Sequence, residues 1–458
     1  MTFLSLQSRA LVAIAILLSV TLHHTKANHS RSLGSEMPPS TRFQSHFVFL
    51  VHGFMGNADE LSYFEEALDE AAADHGKRED KCLEAIFHRV KCNNTSTFDG
   101  IAAGGTRLAR EVHDFVAAYV KERKKSWQQP ESEYHSSISF FGYSLGGLYC
   151  RYALSVLSFE FDAGPTRVHL HPMDFCTAAT PHLGIASHTY FVLPRCMEYV
   201  FAYLFGKTGK DIFRVDRRKR RKWQCLRSKK SKGEANDLIY AMATKAEYLR
   251  PLAKFRRRIS FINAFGTDAQ VPTATAGMIS QFSDSPHCLV ENAMSESWNV
   301  GDIEALVFQT KPCERPKSLQ SSGAWSRKND EAVTMSKSLD SLGWTKVFVD
   351  CRKGMKGCSV RCICRRPKRE LVSSYISSQR NITQDSGGVD SSDIIFLSSD
   401  LCNLLESSEH LHCLPTGHFV LVAWSKTNAG KKLTEKGRPL VQQAARMLIS
   451  DVMEVSDL

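Results

Sequence analysis

One stretch constrains this chain more than any other: Phe140-Phe141-Gly142-Tyr143-Ser144-Leu145-Gly146-Gly147-Leu148. A short apolar strand, Ser139–Phe141, runs through one abrupt turn into a helix predicted from Leu145 to about Ser158. The Gly-x-Ser-x-Gly spacing is that of a nucleophile elbow. A serine on so tight a strand-to-helix turn needs glycine two positions to either side, because side chains there would collide as the backbones cross. The turn lifts the Ser144 hydroxyl clear of the sheet. It also leaves the Leu145 N–H at a helix start, directed to where an oxyanion would form.

The elements around this junction alternate. His46-Phe47-Val48-Phe49-Leu50-Val51 is a near-continuous apolar run, the signature of a strand buried on both faces. It ends in His52-Gly53-Phe54-Met55-Gly56-Asn57, a glycine-containing strand exit suited to a second oxyanion donor, the N–H of Phe54 or of Met55. Asn57 or Asp59 is placed to cap a helix bearing Leu61, Phe64 and Leu68 on one stripe. Residues 85–90 form the next strand. A helix opening at Thr106 carries Leu108, Val112, Phe115, Val116 and Tyr119 on one face. Strand, helix, strand, helix, strand, helix predicts an α/β fold: a mostly parallel sheet with helices on both faces.

Beyond the elbow, Met173–Ala179 reads as a strand, followed by Thr180-Pro181-His182-Leu183-Gly184 at the carboxyl edge of the sheet. There His182 either lines the site or is simply held in a turn. Residues 257–265 form a late strand delivering Gly266-Thr267-Asp268. An acid at that position, after the nucleophile and before a histidine, fits the order Ser…Asp…His, in which the carboxylate fixes the imidazole tautomer. His418, at the entry of the apolar stretch Phe419–Trp424, is the candidate base. His287 is its rival, nearer to Asp268 in sequence. A closing helix over about Arg438–Met453 turns Leu440, Ala444, Met447, Leu448 and Val452 inward.

Val51-His52-Gly53, Gly142-Tyr143-Ser144-Leu145-Gly146-Gly147, Thr180-Pro181-His182-Leu183-Gly184 and Thr208-Gly209-Lys210-Asp211 together resemble the serine esterase family, a lipase-like branch of the α/β-hydrolases. The likeness covers about 45–280 and resumes near 415–450. It implies an acyl-ester hydrolase acting on lipid esters, with Ser144, Asp268 and His418 catalytic. Phe54, Met55 and Leu145 would form the oxyanion hole, and His52, Gly53, Tyr143 and His182 the substrate pocket. The family also carries an Asp before Val-Pro, as at Asp268, and a His shortly before the last helix, as at His418. Tyr143 departs from it, since these enzymes commonly have His there. No metal or cofactor is called for. A catalytically silent hydrolase fold that binds lipid or protein, and an acyltransferase, are the rival readings.

Composition bears on compartment and partners. The net charge of +11 lies within Lys207–Lys232, which holds 13 Lys/Arg against two Asp, so the rest is formally neutral and does not mark a nucleic-acid binder. The basic insertion at 217–236 reads as a solvated loop, as a contact for an anionic membrane surface through 217–232, or as a dibasic processing site. Arg9 precedes an apolar run, Ala10–Leu22, too short to span a bilayer comfortably, so residues 1–27 are expected to be a signal peptide, or else an uncleaved anchor. Fourteen Cys and Asn-x-Ser/Thr tripeptides at Asn28, Asn93, Asn94 and Asn381 fit the secretory pathway, the endoplasmic reticulum lumen or outside the cell. Cys351, Cys358, Cys362, Cys364, Cys402 and Cys413 lack zinc spacing and fit disulfides in an oxidising lumen, or free thiols otherwise. The expected organisation is a leader at 28–44, a hydrolase core at 45–282 interrupted by a basic insertion at 217–236, a variable Cys-rich insertion and possible lid at 283–410, and the end of the core at 411–458.

Overall fold

The computed structural model describes residues 45–76, 84–124, 133–186, 195–215, 237–264, 268, 270–279, 285–288, 297–300, 303–309, 327–351, 394–397, 417–424, 426–428 and 434–455. The expected signal peptide and leader, the basic insertion at 217–236, Asn28, Asn381, Cys358, Cys362, Cys364, Cys402 and Cys413 lie outside these residues. Among the described residues no helix is long and apolar enough to cross a membrane.

The strands are β1 (Ser45–Val51), β2 (Glu84–Arg89), β3 (Glu133–Tyr143), β4 (Glu160–Ala163), β5 (Thr166–Ala178), β6 (Arg257–Asn263), β7 (Ser285–Cys288), β8 (Ser297–Val300), β9 (Ile303–Gln309), β10 (Thr345–Asp350) and β11 (Ile394–Leu397). Nine of them form one sheet in the order β2-β1-β3-β5-β6-β10-β9-β8, with β4 a hairpin partner of β5. From β2 through β10 every neighbouring pair is parallel. The antiparallel pairs are β9 with β10, β8 with β9, and β4 with β5. β7 and β11 pair apart from this sheet.

All seven residues of β1 are buried, as its unbroken apolar run requires. Its side chains alternate between two cores. Val48 and Leu50 meet Phe64 and Leu68 of α1 (Ser62–Gly76) and Leu440, Ala444 and Leu448 of the closing helix. Phe47, Phe49 and Val51 meet Leu108, Val112 and Val116 of α2 (Ile101–Lys124) and Leu145 and Leu148 of α3 (Leu145–Ala153). The closing helix, α4, spans Arg438–Val455. Each fully buried aliphatic or Phe side chain in these layers contributes about 1.5–3 kcal/mol. The result is an α/β-hydrolase-like fold: a mostly parallel sheet between two helical layers.

Two expectations change. α2 starts at Ile101, five residues before Thr106, and so contains Gly104 and Gly105. A Cβ on Gly104 would meet the Tyr149 ring at 2.2 Å, so the glycine permits close packing of α2 on α3 where it looks like a loop in sequence. The stretch 283–410, expected to be a variable insertion and possible lid with a strand at Trp344–Val349, supplies β8 and β9 to the main sheet as well as that strand, β10. It also supplies a helix, Arg327–Asp340, that buries Ala332, Met335 and Leu339. That helix is so polar that its narrow apolar stripe is lost among Lys, Ser and Asp in sequence.

Candidate functional site

Ser144 adopts φ 54° and ψ −122°, a strained conformation for a residue with a Cβ, and it begins α3 directly from β3. The glycines around it are sterically required. A Cβ on Gly142 would lie 2.4 Å from the Gly147 Cα, and one on Gly146 would lie 2.2 Å from the Val51 carbonyl oxygen. The turn is locked from β5: the Ser144 N–H donates to the Ala178 carbonyl (2.8 Å). The Thr180 hydroxyl donates to the Ser144 carbonyl (2.9 Å). Gly147 leaves room for that hydroxyl, since a Cβ there would stand 2.2 Å from Thr180 Oγ1. Thr180 thus explains how the Thr-Pro-His-Leu-Gly motif serves the elbow, a role invisible in sequence because it acts across 36 positions.

Three distant side chains meet here. Ser144 Oγ lies 3.0 Å from His418 Nε2, and His418 Nδ1 lies 2.7 Å from Asp268 Oδ2. The carboxylate only accepts, so Nδ1 carries the proton and Nε2 is left to accept from the serine hydroxyl. All three residues are buried, with Ser144 the most open at 7% exposure. Asp268 is held by the backbone N–H groups of Gln270 (2.7 Å) and Val271 (2.9 Å) at Oδ1, and by Asn263 Nδ2 (3.0 Å) at Oδ2. Asn263 in turn accepts from the Cys351 thiol (3.2 Å). His418 stands in the helical turn Gly417–Val420, against Tyr143 with ring centroids 5.1 Å apart. His287, the rival base, lies on β7.

Gly53 brings the β1 exit against the elbow, where its would-be Cβ stands 3.0 Å from Ser144 Cβ. The loop is fixed from outside. The Met55 N–H donates to Thr97 Oγ1 (3.1 Å), with Met55 in the left-handed region at φ 57°. The Thr97 carbonyl accepts from Thr208 (2.6 Å) and Tyr149 (3.3 Å). Thr208 also accepts from Gly100 N, and Asp211 accepts from Ile101 N, so the Thr-Gly-Lys-Asp motif anchors the start of α2 and the loop after β1 together. Phe54 packs between Phe98 and Phe205 at 4.8 and 5.2 Å.

The four pocket candidates divide. Gly53 and Tyr143 adjoin Ser144 and His418. Burial pushes the Tyr143 phenol well above its ordinary value, so it stays neutral. His52 is buried with its Nδ1–H on the Gly53 carbonyl (3.1 Å), which stiffens the loop. His182 is fully buried. Its Nε2 meets Thr177 Oγ1 (3.1 Å), its Nδ1 lies 3.4 Å from Arg151, and its ring packs on Trp344. His182 is therefore a tie between β5 and α3, not an open pocket wall. Glu60, absent from the sequence reading, is buried over the loop after β1: a Cβ on Gly56 would meet its Oε2 at 2.1 Å. Burial pushes its carboxyl up to about 7.

Other expectations are also corrected. Asn93 is fully buried, donating to the Gly104 carbonyl and accepting from Arg107, so it is no glycan acceptor. Cys150 and Cys176 are free, buried thiols. Arg214, just before the basic insertion, is buried in ion pairs with Asp237 (2.6 Å) and Glu331 (3.1 Å).

A family model described as "Putative serine esterase" matches residues 41–282, which hold β1, the loop after it, the Ser144 turn and Asp268. This chain belongs to that family. A protein of Schizosaccharomyces pombe named a putative lipase is 26% identical over 237 residues, 51% of this chain and 26% of the relative. The putative lipase ROG1 of Saccharomyces cerevisiae is 25% identical over 244 residues, 52% of this chain and 29% of the relative. The chain thus matches less than a third of the length of these relatives. Family membership supports ester hydrolysis at a coarse level.

Proposed function

We propose that the protein is a serine hydrolase of carboxylic esters, and that its substrates carry apolar acyl chains. Ser144 Oγ attacks the ester carbonyl while His418 Nε2 takes its proton, and the imidazolium that forms is stabilised by Asp268. The oxyanion is received by the N–H of Leu145 and that of Phe54. Phe54 is preferred to Met55 because the Met55 N–H is committed to Thr97. Collapse of the tetrahedral species passes the proton from His418 to the leaving alcohol and leaves an acyl-enzyme. Water then attacks this with His418 again as base, releasing the acid and restoring the serine.

The observation that carries this reading is the pair of hydrogen bonds linking Ser144, His418 and Asp268 at 3.0 and 2.7 Å across 274 and 150 residues. Support for an apolar substrate comes from exposed Met55, Phe98, Met197, Val200, Tyr203 and Leu204, on the oxyanion loop, the loop before α2 and the helix Arg195–Leu204. The names of the yeast relatives point the same way. Ser144→Ala should lower turnover of a p-nitrophenyl ester by at least about 10⁴-fold with melting temperature preserved. Undiminished turnover in that variant would remove the serine mechanism.

A further inference from the structure

The parallel register that builds the Ser144 edge also gathers histidines at the opposite, amino end of the same strands. On β5 the residues alternate: Val168 and Leu170 are buried, while Arg167, His169 and His171 are half-buried on the other face. On β3, Tyr134 is buried while Glu133 and His135 face outward. His135 is paired with His169, and Ser137 with His171. Paired residues and alternate residues share a face, so Glu133, His135, His169 and His171 stand on one patch of the sheet.

Their geometry is that of a divalent-cation site. One donor atom each from Glu133, His135 and His169 lies within 4.8 Å of the others. Tetrahedral ligands at the usual zinc distances stand about 3.3 Å apart, so closing the site takes side-chain rotation on fixed strands. The His135 and His169 rings are stacked, with centroids 4.6 Å apart and planes 10° from parallel. His169 Nε2 is buried with no hydrogen-bond partner. His135 Nε2 lies 3.3 Å from Glu133 Oε2, and His135 Nδ1 lies 3.2 Å from His171 Nε2. A metal-bound imidazole characteristically donates its second N–H to a neighbouring acceptor, which sets its tautomer and orientation.

We propose that Glu133, His135 and His169 form a binding site for a zinc-type divalent cation, with His171 positioning His135. In the free protein the His135 Nε2–H donates to the Glu133 carboxylate, and His135 Nδ1 accepts from the His171 Nε2–H. On loading, His135 Nε2 gives its lone pair to the metal, its proton moves to Nδ1 and donates to His171 Nε2, and His171 takes the Nδ1–H tautomer. Two imidazoles and one carboxylate suit zinc and neighbouring first-row ions over magnesium or calcium. His135 and Ser144 are nine positions apart along and just past β3, about 30 Å at roughly 3.3 Å per residue, so the ion would clamp β3 to β5 and take no part in ester chemistry.

The test is calorimetric titration of the full-length chain with zinc chloride after dialysis against chelator, with melting temperature followed in parallel. The wild type should show one saturable site per chain and a metal-dependent rise in melting temperature. His135→Gln combined with His169→Gln should abolish both. His171→Gln should weaken binding about 10- to 100-fold. Glu133→Gln, a change at an exposed side chain, should weaken binding while leaving the metal-free melting temperature unchanged. The chain has 17 His, so His113→Gln, at an exposed histidine on α2, serves as the control and should bind as the wild type does. No saturable site in the wild type, or binding by the double variant equal to the wild type, would overturn the proposal.

Discussion

The two ends of β3 and β5 use the same residue types differently. At the carboxyl end His418 is buried, with one nitrogen on a carboxylate and the other on a hydroxyl. At the amino end His135, His169 and His171 are half-buried and face one another and Glu133. The difference teaches that burial and the identity of the second partner decide what an imidazole can do. A buried ring with its tautomer fixed by Asp268 suits the base proposed for one proton transfer. Partly open rings sharing a face suit the proposed ligand set. His182 gives a third outcome: fully buried, with a Thr hydroxyl and an Arg as partners and its basicity suppressed well below the ordinary value by burial, it only holds the fold together.

Predictions that sharpen this contrast follow in order of expected size. Asp268→Asn should reduce ester turnover by about 10⁴-fold, because the tautomer of His418 is no longer dictated, while leaving zinc binding at the amino end intact. Steady-state rates and calorimetry on one preparation check both halves. Gly146→Ala should destabilise the elbow by at least about 1–3 kcal/mol, since its methyl has only backbone carbonyls to push against; urea denaturation measures this. Thr180→Val, losing the hydroxyl that holds the Ser144 carbonyl, should cost about 0.5–1.5 kcal/mol in the same assay and lower turnover.

The smallest effect concerns Glu60. Its carboxyl titrates near 7 in the fold against 4.5 when unfolded, because of burial. The folded state therefore holds a proton that the unfolded state releases between those values. Its contribution to stability is fully present below about 4.5 and is lost as pH rises through about 7. Glu60→Gln should remove that decline, so the stability gap between variant and wild type should widen from pH 5 to pH 8 in denaturant titrations. A gap that stays constant would mean that burial does not perturb Glu60.

Much of the carboxyl edge was legible in sequence because its constraints are local. The glycines of the elbow and the apolar run of β1 follow from sterics and burial within a few residues. The chain order of Ser144, Asp268 and His418 could be read as well. What escaped reading acts at long range or through polar residues. β3 is 11 residues long, against three expected, because Ser136, Ser137 and Ser139 interrupt its apolar pattern while their hydroxyls are engaged internally with Ser45, His46 and the Asp174 N–H. The brace from Thr208 through Thr97 to Met55 spans 111 and 42 positions and has no periodic signature. The histidine patch needed the β3–β5 register, which sequence alone does not provide.

The central claim is that a buried His418, oriented by Asp268, turns Ser144 into a nucleophile. The most direct measurement is mass-spectrometric mapping of a fluorophosphonate adduct on the wild type and on His418→Ala. The account predicts a single adduct at Ser144 in the wild type and its loss in the variant. An unlabelled Ser144, or equal labelling without His418, would contradict it.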